Sequence, residues 1–444
     1  MTLTEAVFWT KRAGVIIGIT GVIFVVIAII VTSINSEDMP TEYLTASCAC
    51  TETQEEFLEY KPEIPSLEIN SDSENVFEIQ TDTGKINDLS SLEIINVYQY
   101  EQKEQQLDSQ LQAKEIASAL GFEPEEIYRS GTKSYIWNDS TNSRSLEVNA
   151  KTLNFNMTTN SGYIRDVAKK NSLPTESEAI ALGKNAIRRL GILGSDYNYT
   201  EGSNITTYLI DINPDNSYSE ASSLSEAELI RVDLNKTKAM ISIKENVTNS
   251  QAIINSLNNN LGDAVEDEII VNDERITVYN YSTIVTYANP SSSNISIYVG
   301  PKDENSDTLS NVYRIDFTYW PIETESCGTY ELVSPAYALD KVQEGEGSLV
   351  YLNEINGDEI EDYEPKTVKK YIIYDIDVAY YESSTQPTFL QPIYIVTGET
   401  VFKDDTRGEF HIFYPAINYD IVHDRIEIKE DIIEEDSGGG LLGL

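Results

Sequence analysis

The chain is poor in the side chains that most often carry catalysis or bind transition metals at neutral pH. Its 444 residues include only 2 His and 3 Cys. Three cysteines exclude a disulfide-dense scaffold, and two isolated histidines offer little material for a catalytic triad or a zinc centre. His411 and His423 have no Ser or Cys partner at a recognisable spacing, so we interpret both as structural or surface residues.

Positive charge is also scarce. The chain carries 31 Lys and Arg against 74 Asp and Glu, which gives a formal net charge of -43. Because phosphate binding requires clustered basic residues, this balance excludes nucleic acid as a partner. The hydrophobic fraction of 40% is ordinary, so a chain of this length can bury the cores of two or three domains. We expect a soluble, self-repelling surface that favours cationic partners or metal ions.

One stretch, residues 13–34 (AGVIIGITGVIFVVIAIIVTSI), has no charged residue. A helix over it, at about 1.5 Å per residue, spans the roughly 30 Å hydrocarbon core of a bilayer. Lys11 and Arg12 precede it directly, and Trp9 lies where an interfacial aromatic anchor is expected. The positive-inside rule therefore predicts a single-pass cell-membrane protein, with residues 1–12 in the cytoplasm and the remaining bulk extracytoplasmic.

A cleaved signal peptide is the alternative interpretation of this stretch. Its apolar core is usually shorter, and a small-x-small cleavage site follows it directly. Ser33-Ile34-Asn35 is a poor site of that kind. The sequence therefore favours an uncleaved anchor in contact with the lipid bilayer.

Residues 35–70 are predicted to form an acidic stalk, because they are rich in Pro, Glu and Thr and have little periodic apolar pattern. Cys48 and Cys50 lie within it, and cysteines separated by one residue pair badly with each other. They could bind a metal, pair with Cys327 or link two chains. Incidental thiols are the simpler interpretation, and the sequence leaves these alternatives open.

The rest of the chain alternates short helical patterns with β-branched and aromatic runs. Helices are predicted at about 103–121, 174–190, 249–261 and 334–343, and strands fill most of the sequence between them. We predict an α+β fold: several extracytoplasmic modules of antiparallel sheet, each with a helix on one face. The predicted boundaries are 71–170 for a first module, 171–265 for a second, 266–425 for a β-rich C-terminal region and 426–444 for a flexible acidic tail.

Catalytic signatures are weak. Ser130-Gly131-Thr132-Lys133 matches the S-x-x-K motif of penicillin-binding enzymes, which requires a helix N-terminus. Here it falls between a helical and a strand-like run, without the partner motifs, so a turn is the better interpretation. We predict no catalytic residue, no cofactor and no assigned metal ligand.

Two acidic loops resemble the beginning of a calcium-binding loop. Asp211-Ile-Asn213-Pro-Asp215 alternates oxygen ligands, but it lacks the Gly at the sixth position and the Glu at the twelfth. Asp303-Glu-Asn305-Ser-Asp307 is similar. Solvated loops are the simpler interpretation of both.

Several segments carry a family resemblance. They are YDIDVAYYESSTQPTFLQPIYIVTGETVF (374–402) with GEFHIFYPAI after it, IASALGF (116–122) with YIWNDSTNSRSLEVNAKTLNF, and TYELVSPAYALDKVQEGEG (329–347). The combination resembles uncharacterised single-pass surface proteins of candidate-phyla (Patescibacteria-type) bacteria. More remotely it resembles YycI/YycH-type regulators of a cell-wall-sensing histidine kinase and PepSY-like modules. The resemblance implies one anchor, external α+β modules and no enzymatic activity, and it carries over no catalytic residue.

Anchor, modular fold and missing catalytic motifs together predict a non-enzymatic regulatory or interaction module that contacts another envelope protein. We expect its contact surface on the Tyr-rich C-terminal sheet, at Tyr380, Tyr381, Gln391 and Tyr394. Ordinary strand packing is the alternative for these four side chains, because Tyr is common in half-buried strands. A calcium-binding adhesive protein and a cell-wall hydrolase or peptidase are the alternative functions.

Overall fold

The fold is taken from a computed structural model of the chain. It describes residues 46–48, 50, 58, 61–74, 76–80, 92–102, 107–130, 133–169, 172–191, 205–245, 250–271, 274–289, 291–304, 309–355, 357–358, 360 and 363–420. The predicted anchor at 13–34, with Trp9, Lys11 and Arg12, and the predicted tail at 426–444 lie outside these ranges. Within them, no helix has both the length and the apolar character needed to cross a bilayer.

The chain divides into two compact units. Of the described residues, the smaller unit holds those between Ile243 and Tyr279, and the larger holds Ala46–Ser242 together with the chain from Asn280 onward. The helices are α1 (Ser109–Ala119), α2 (Ser161–Ala168), α3 (Glu176–Leu190), α4 (Ser250–Leu261) and α5 (Pro335–Gln343). Of these, α4 belongs to the smaller unit.

Nine strands of the larger unit form one antiparallel sheet in the order β3-β4-β5-β6-β14-β13-β9-β7-β8. We call it the nine-stranded sheet. Its strands are β3 (Ile127–Ser130), β4 (Ser134–Asp139), β5 (Arg144–Asn149), β6 (Phe155–Thr159), β7 (Ile205–Ile212), β8 (Tyr218–Glu220), β9 (Leu229–Leu234), β13 (Ile295–Val299) and β14 (Val312–Phe317). Strands β5 and β6 therefore share a sheet with β13 and β14, and the predicted boundaries at residues 170 and 265 do not separate sheets.

The ten other strands form a mixed sheet, the ten-stranded sheet, with the main order β10-β12-β17-β18-β19-β16. They are β1 (Phe77–Ile79), β2 (Ile94–Gln99), β10 (Thr237–Lys244), β11 (Val265–Val271), β12 (Glu274–Thr286), β15 (Gly328–Glu331), β16 (Ser348–Glu354), β17 (Val368–Tyr381), β18 (Phe389–Phe402) and β19 (Arg407–Pro415). Strands β1 and β12 run parallel to β17, whereas β17, β18, β19 and β16 are antiparallel neighbours.

One face of the nine-stranded sheet packs against α1 and α3. Alternate residues of β9 and β13, such as Val232 and Ile297, are 0% exposed and share a core with Ala117 and Ala186 of the helices. Alternation puts every second strand residue on one face, so these strands bury a continuous apolar layer. Such burial stabilises the fold by about 25 cal/mol per Å² of apolar surface removed from water.

The signals that predicted α3 operate as expected. The Thr175 side chain accepts a hydrogen bond from the Glu178 N–H, and the Glu178 carboxylate accepts one from the Thr175 N–H, which together form a capping box. The helix ends at Gly191, whose φ of 63° lies in the left-handed region that glycine adopts without strain. The α+β prediction is confirmed: the described residues are rich in sheet and contain few helices.

The predicted stalk, in contrast, lies partly against the folded chain. Cys50 forms a disulfide with Cys327, 277 residues away, and is 2% exposed. The Cys48 N–H donates to the Thr329 carbonyl at 3.0 Å. A disulfide that closes so long a loop constrains the unfolded chain strongly. Of the alternatives open for the cysteines, the structure therefore shows the pairing of Cys50 with Cys327.

A buried ion pair joins the two sheets. Lys236 lies in the short link from β9 to β10, Glu382 directly follows β17, and both side chains are 0% exposed. The Lys236 Nζ is 2.5 Å from the Glu382 Oε2 and donates a second bond, of 2.9 Å, to the Trp320 carbonyl. Tyr100 donates to Oε2 at 2.7 Å, and Asn294 donates to Oε1 at 2.6 Å. The residues of this cluster lie at or just beyond the ends of strands from both sheets. The ion pair between Lys236 and Glu382 therefore fixes where the two sheets meet.

We predict that Glu382→Gln lowers the free energy of unfolding by about 3–5 kcal/mol, because Lys236 then keeps a buried charge without a counter-charge. Urea unfolding followed by circular dichroism measures the change. Asp405→Asn, which removes an exposed ion pair with Lys369, is the control and should change stability by at most about 1 kcal/mol. Equal effects of the two substitutions would contradict the role given to the buried pair.

Candidate functional site: a cleft along the free edge of β16

A cleft of about 380 Å³ runs along β16, an outermost strand of the ten-stranded sheet. Five consecutive residues of this strand, Val350 to Glu354, form one wall. The other lining residues are Leu67, Asn289, Gly357, Asp358, Ile360, Tyr363, Glu364 and Lys366. The cleft therefore follows a strand edge along its length.

The hydrogen bonds of β16 define which backbone groups face the cleft. Residues of an antiparallel strand direct their N–H and C=O groups alternately to the two sides. The Ile355 N–H donates to the Arg407 carbonyl, on the β19 side, at 3.1 Å. By this alternation, the backbone groups of Asn353 and Tyr351 also face β19. Those of Leu352 and Glu354 face the free edge.

Intrachain partners occupy most of this edge. Residues 61–74, which we call the strap, lie beside its first part: Leu67 donates its N–H to the Leu349 carbonyl at 2.7 Å, and the Leu349 N–H donates to the Ser66 hydroxyl at 3.2 Å. Toward the far end, the Glu354 carbonyl accepts from the Gly357 N–H at 2.7 Å, and the Glu354 N–H donates to the Asn353 side chain at 2.8 Å.

Leu352 lies between these two occupied positions. Among the residues that the structure describes, no group accepts from its N–H or donates to its C=O on the free edge. The residue is 3% exposed. A backbone donor and acceptor that are nearly buried and unpaired cost free energy until a partner satisfies them. The cleft thus holds one outward-facing pair of backbone groups, between Leu349, which the strap occupies, and Glu354, whose backbone groups bond within a tight turn.

The charges around the cleft are mainly negative. Glu354, Asp358 and Glu364 line it, against Lys366, which pairs with Glu354 at 2.9 Å. Asp358 uses its carboxylate to accept the backbone N–H groups of Ile360 and Glu220, both within 2.8 Å. A second cleft, of about 360 Å³, shares Glu354, Glu364 and Lys366 and extends toward Phe402 and Lys403.

His411 lies behind the cleft wall. It pairs in register with Tyr351 of β16, and the two rings are 5.1 Å apart. Burial lowers the pKa of His411 to about 4, so the imidazole is neutral at physiological pH. It is a packing residue, as the sequence interpretation has it.

The four residues predicted as a contact surface are interior side chains. Tyr380, Tyr381, Gln391 and Tyr394 are 0%, 5%, 8% and 1% exposed. The Tyr380 hydroxyl donates to the Asn96 carbonyl and the Tyr394 hydroxyl to the Val333 carbonyl, both at 2.6 Å. Tyr419 donates to the Gln391 side chain. Both faces of this part of the sheet are covered, so strand packing, the alternative interpretation, describes these residues and a partner cannot reach them in this fold.

The S-x-x-K motif does not lie at a helix N-terminus. Ser130 is the last residue of β3 and pairs in register with Tyr135 of β4, so the motif spans the link between two antiparallel strands. Ser130 therefore lies in a strand and not at the start of the helix that the enzymatic use of the motif requires.

The first calcium-like loop is satisfied by protein groups. Arg165 donates to the carbonyls of Ile212 and Asn213, at 3.3 and 2.9 Å, and the Asp215 carboxylate accepts from the backbone and hydroxyl of Ser217. A cation would have to displace the guanidinium from these oxygens. In the second loop, Asp303 is 4% exposed and accepts the Tyr163 hydroxyl at 2.6 Å. The described residues contain no group of three His, Cys, Asp or Glu placed to hold a metal ion.

Sequence reasoning missed a polar ladder on the nine-stranded sheet. Tyr208, Arg231, Tyr298 and Arg314 are cross-strand neighbours on β7, β9, β13 and β14. The Arg231 guanidinium lies 4.2 Å from the Tyr208 ring centroid, and that of Arg314 lies 5.0 Å from the Tyr298 centroid. Alternating cations and aromatic rings stabilise one another. The signal in the sequence was an acid or base at every second position of β9 and β14, within otherwise apolar runs.

Carboxylates flank the arginines of the ladder. Asp233 pairs with Arg231 at 2.9 Å and Asp316 with Arg314 at 2.8 Å. Burial raises the pKa of Asp233 to about 6, against the opposing attraction of Arg231. The Asp233 Oδ1 and the Arg231 Nε are buried without a hydrogen-bond partner among the described residues. Because the charges of the ladder cancel and its arginines pair with neighbouring carboxylates and aromatic rings, we interpret it as polar packing.

Comparison with known proteins adds little to this geometry. No protein-family model matches the chain, and no curated protein matches it. One similar solved structure is that of an uncharacterised protein from Eubacterium rectale ATCC 33656, at 11% sequence identity and a TM-score of 0.37. The match covers 80% of this chain and 92% of that one. Likeness at this level carries no argument about fold or function.

We predict that Asp233 makes stability depend on pH between about 4 and 6. Its pKa in the folded chain, about 6, lies above the ordinary value of 3.8 for an aspartate, so the folded state binds the proton more tightly. Its contribution therefore favours folding at low pH and is lost as the pH rises through this window. Urea unfolding measures the free energy of unfolding at each pH. Between pH 4 and pH 7, the value for Asp233→Asn should rise by about 1–3 kcal/mol relative to that of the wild type. A constant difference between the two proteins would contradict the raised pKa.

Proposed function

We propose that this chain is a membrane-tethered extracytoplasmic protein that binds another envelope protein and has no catalytic activity of its own. The observation that carries the proposal is the cleft along β16, which is lined by a strand edge with one unsatisfied backbone pair. Proteins commonly recognise extended segments of their partners in this way.

The disulfide supports the proposed compartment. Disulfides persist in oxidising environments outside the cytoplasm and are rare inside it. Cys50 ties the chain that follows the predicted anchor to Cys327 in the folded unit. This placement fits an anchor at residues 13–34 and external modules, as the resemblance to YycI/YycH-type regulators and PepSY-like modules implies.

The acidity supports a cationic or metal-bearing neighbour rather than lipid headgroups. Residues 1–12 hold Lys11 and Arg12 against Glu5, so nearly all the negative charge belongs to the proposed external part. Anionic lipids and anionic wall polymers would repel such a surface. A regulator of this kind would act through contact with a neighbouring membrane protein.

We predict that Cys50 and Cys327 are oxidised in intact cells. A membrane-impermeant maleimide should label them only after a reductant has been added, because the disulfide blocks both thiols. Cys48→Ser serves as the control, since it leaves the Cys50–Cys327 pair in place. Labelling of Cys50 and Cys327 without reductant would contradict the proposed compartment.

We predict that photocrosslinking in cells captures one defined envelope protein from the cleft. The photoreactive residue p-benzoylphenylalanine replaces Tyr363, a lining residue of the cleft. The control replaces Tyr128, which is 73% exposed on β3 of the nine-stranded sheet. The same protein should be recovered repeatedly from position 363 and not from position 128. Recovery of unrelated proteins from both positions would contradict the proposal.

A further inference from the structure

We propose that the cleft along β16 accepts a basic, extended polypeptide segment, which pairs with Leu352 as an added strand. This inference rests on the proposed function, since it specifies the chemistry of the partner at the same site. Three properties of the described residues support it: the backbone groups of Leu352, the way the strap pairs beside them, and the charge of the walls.

The backbone groups set the conformation of the ligand. Leu352 directs one N–H and one C=O to the free edge. An antiparallel segment presents the complementary C=O and N–H of a single residue at the same spacing, and a parallel segment presents those of two residues two positions apart. A helix or a compact small molecule satisfies its own backbone or offers no such pair. The edge therefore selects an extended peptide.

The strap shows that this edge already accepts an added segment. Leu67 and Ser66 bond to Leu349, three residues before Leu352, through one backbone and one hydroxyl contact. The strap then leaves the edge, and its residue Asn70 donates its N–H to the Lys366 carbonyl at 3.0 Å. The cleft begins where the strap departs, so a ligand would continue the pairing along β16 beyond it.

The walls set the charge of the ligand. Glu354, Asp358 and Glu364 line the cleft against a single base, Lys366, which Glu354 already neutralises. Lysine and arginine side chains that alternate along an extended segment can reach both acidic walls.

Two other occupants fit the same edge less well. A second copy of this chain would bring another net charge of -43 to an acidic cleft, and like charges across an interface are repelled. The C-terminal residues 426–444 (IEIKEDIIEEDSGGGLLGL) are predominantly acidic and meet the same repulsion. Charge complementarity thus favours a separate, basic partner.

The test measures binding of a short, end-blocked, fluorescent peptide that alternates lysine with valine, by fluorescence polarisation with the full chain in detergent. A matched peptide carries N-methyl groups on all its backbone amides, which leaves its charge unchanged but removes its backbone hydrogen-bond donors. A third peptide replaces lysine with glutamate. We expect the first peptide to bind, the N-methylated one to bind about tenfold more weakly, and the acidic one not to bind.

Two substitutions locate the site. Glu364 is exposed at the cleft and makes no ion pair in the described structure, so Glu364→Lys should weaken binding about fivefold without affecting the fold. Glu147→Lys makes the same charge change on the exposed face of β5 and should leave the affinity within about twofold. Equal losses in both variants would show that only the total charge matters, and would overturn the proposal.

The remaining outcomes are also decisive. Equal binding of the N-methylated peptide, or binding of neither basic peptide, overturns the added strand. A concentration-dependent dimer in sedimentation that Glu364→Lys strengthens would assign the edge to a second copy instead. If the cleft crosslinks to one defined envelope protein while the basic peptide does not bind, the proposed function stands and this inference fails.

Discussion

The buried contact between Lys236 and Glu382 determines how the rest of the large unit is arranged. Both charges are withdrawn from water at the point where the chain passes from one sheet to the other, between β9 and β10. Such a pair adds little net stability compared with an apolar pair of the same volume. Its geometry is nevertheless restrictive, because four further groups must converge on it: Tyr100, Asn294, the Trp320 carbonyl and the ring of Tyr319. A shift of either sheet would leave a buried charge unpaired.

Local sequence signals predicted the elements well. Periodic apolar residues predicted a helix at about 174–190, which is α3, and β-branched runs such as Val368–Tyr381 predicted long strands. These signals operate over a few residues, where propensity and capping decide the conformation. β16, SLVYLNE, escaped prediction: it directly follows a glycine-rich turn, and its pattern alone does not distinguish it from a loop.

Pairing between distant segments could not be predicted in the same way. Nothing in the alternation of Tyr380 and Tyr394 shows that both faces of their sheet are covered, so an exposed aromatic surface was as consistent with the sequence as a buried one. The partner of Cys50 was one of several alternatives, because loop closure over 277 residues leaves no local trace. Lys236 is one of 31 basic residues. Only the strand ends that converge on the Lys236 side chain in the fold distinguish it from the basic residues that lie in solvent.

Part of the negative charge of the chain lies at a defined position, the walls of the cleft. A net charge of -43 describes the whole molecule, whereas Glu354, Asp358 and Glu364 concentrate it beside a strand edge that has an unsatisfied backbone pair. Backbone pairing would supply the affinity and the walls would supply the choice of partner. The proposed external protein thus needs neither a metal nor a catalytic group to recognise its neighbour.

Amide hydrogen exchange at Leu352 tests the central claim most directly. This N–H faces the cleft and has no acceptor in the described structure, so it should exchange much faster than that of Asn353, which faces β19. Saturation with the lysine–valine peptide should slow the exchange of Leu352 and leave that of Asn353 unchanged. Exchange at Leu352 that is already slow in the free protein, or that the bound peptide does not alter, would contradict the account.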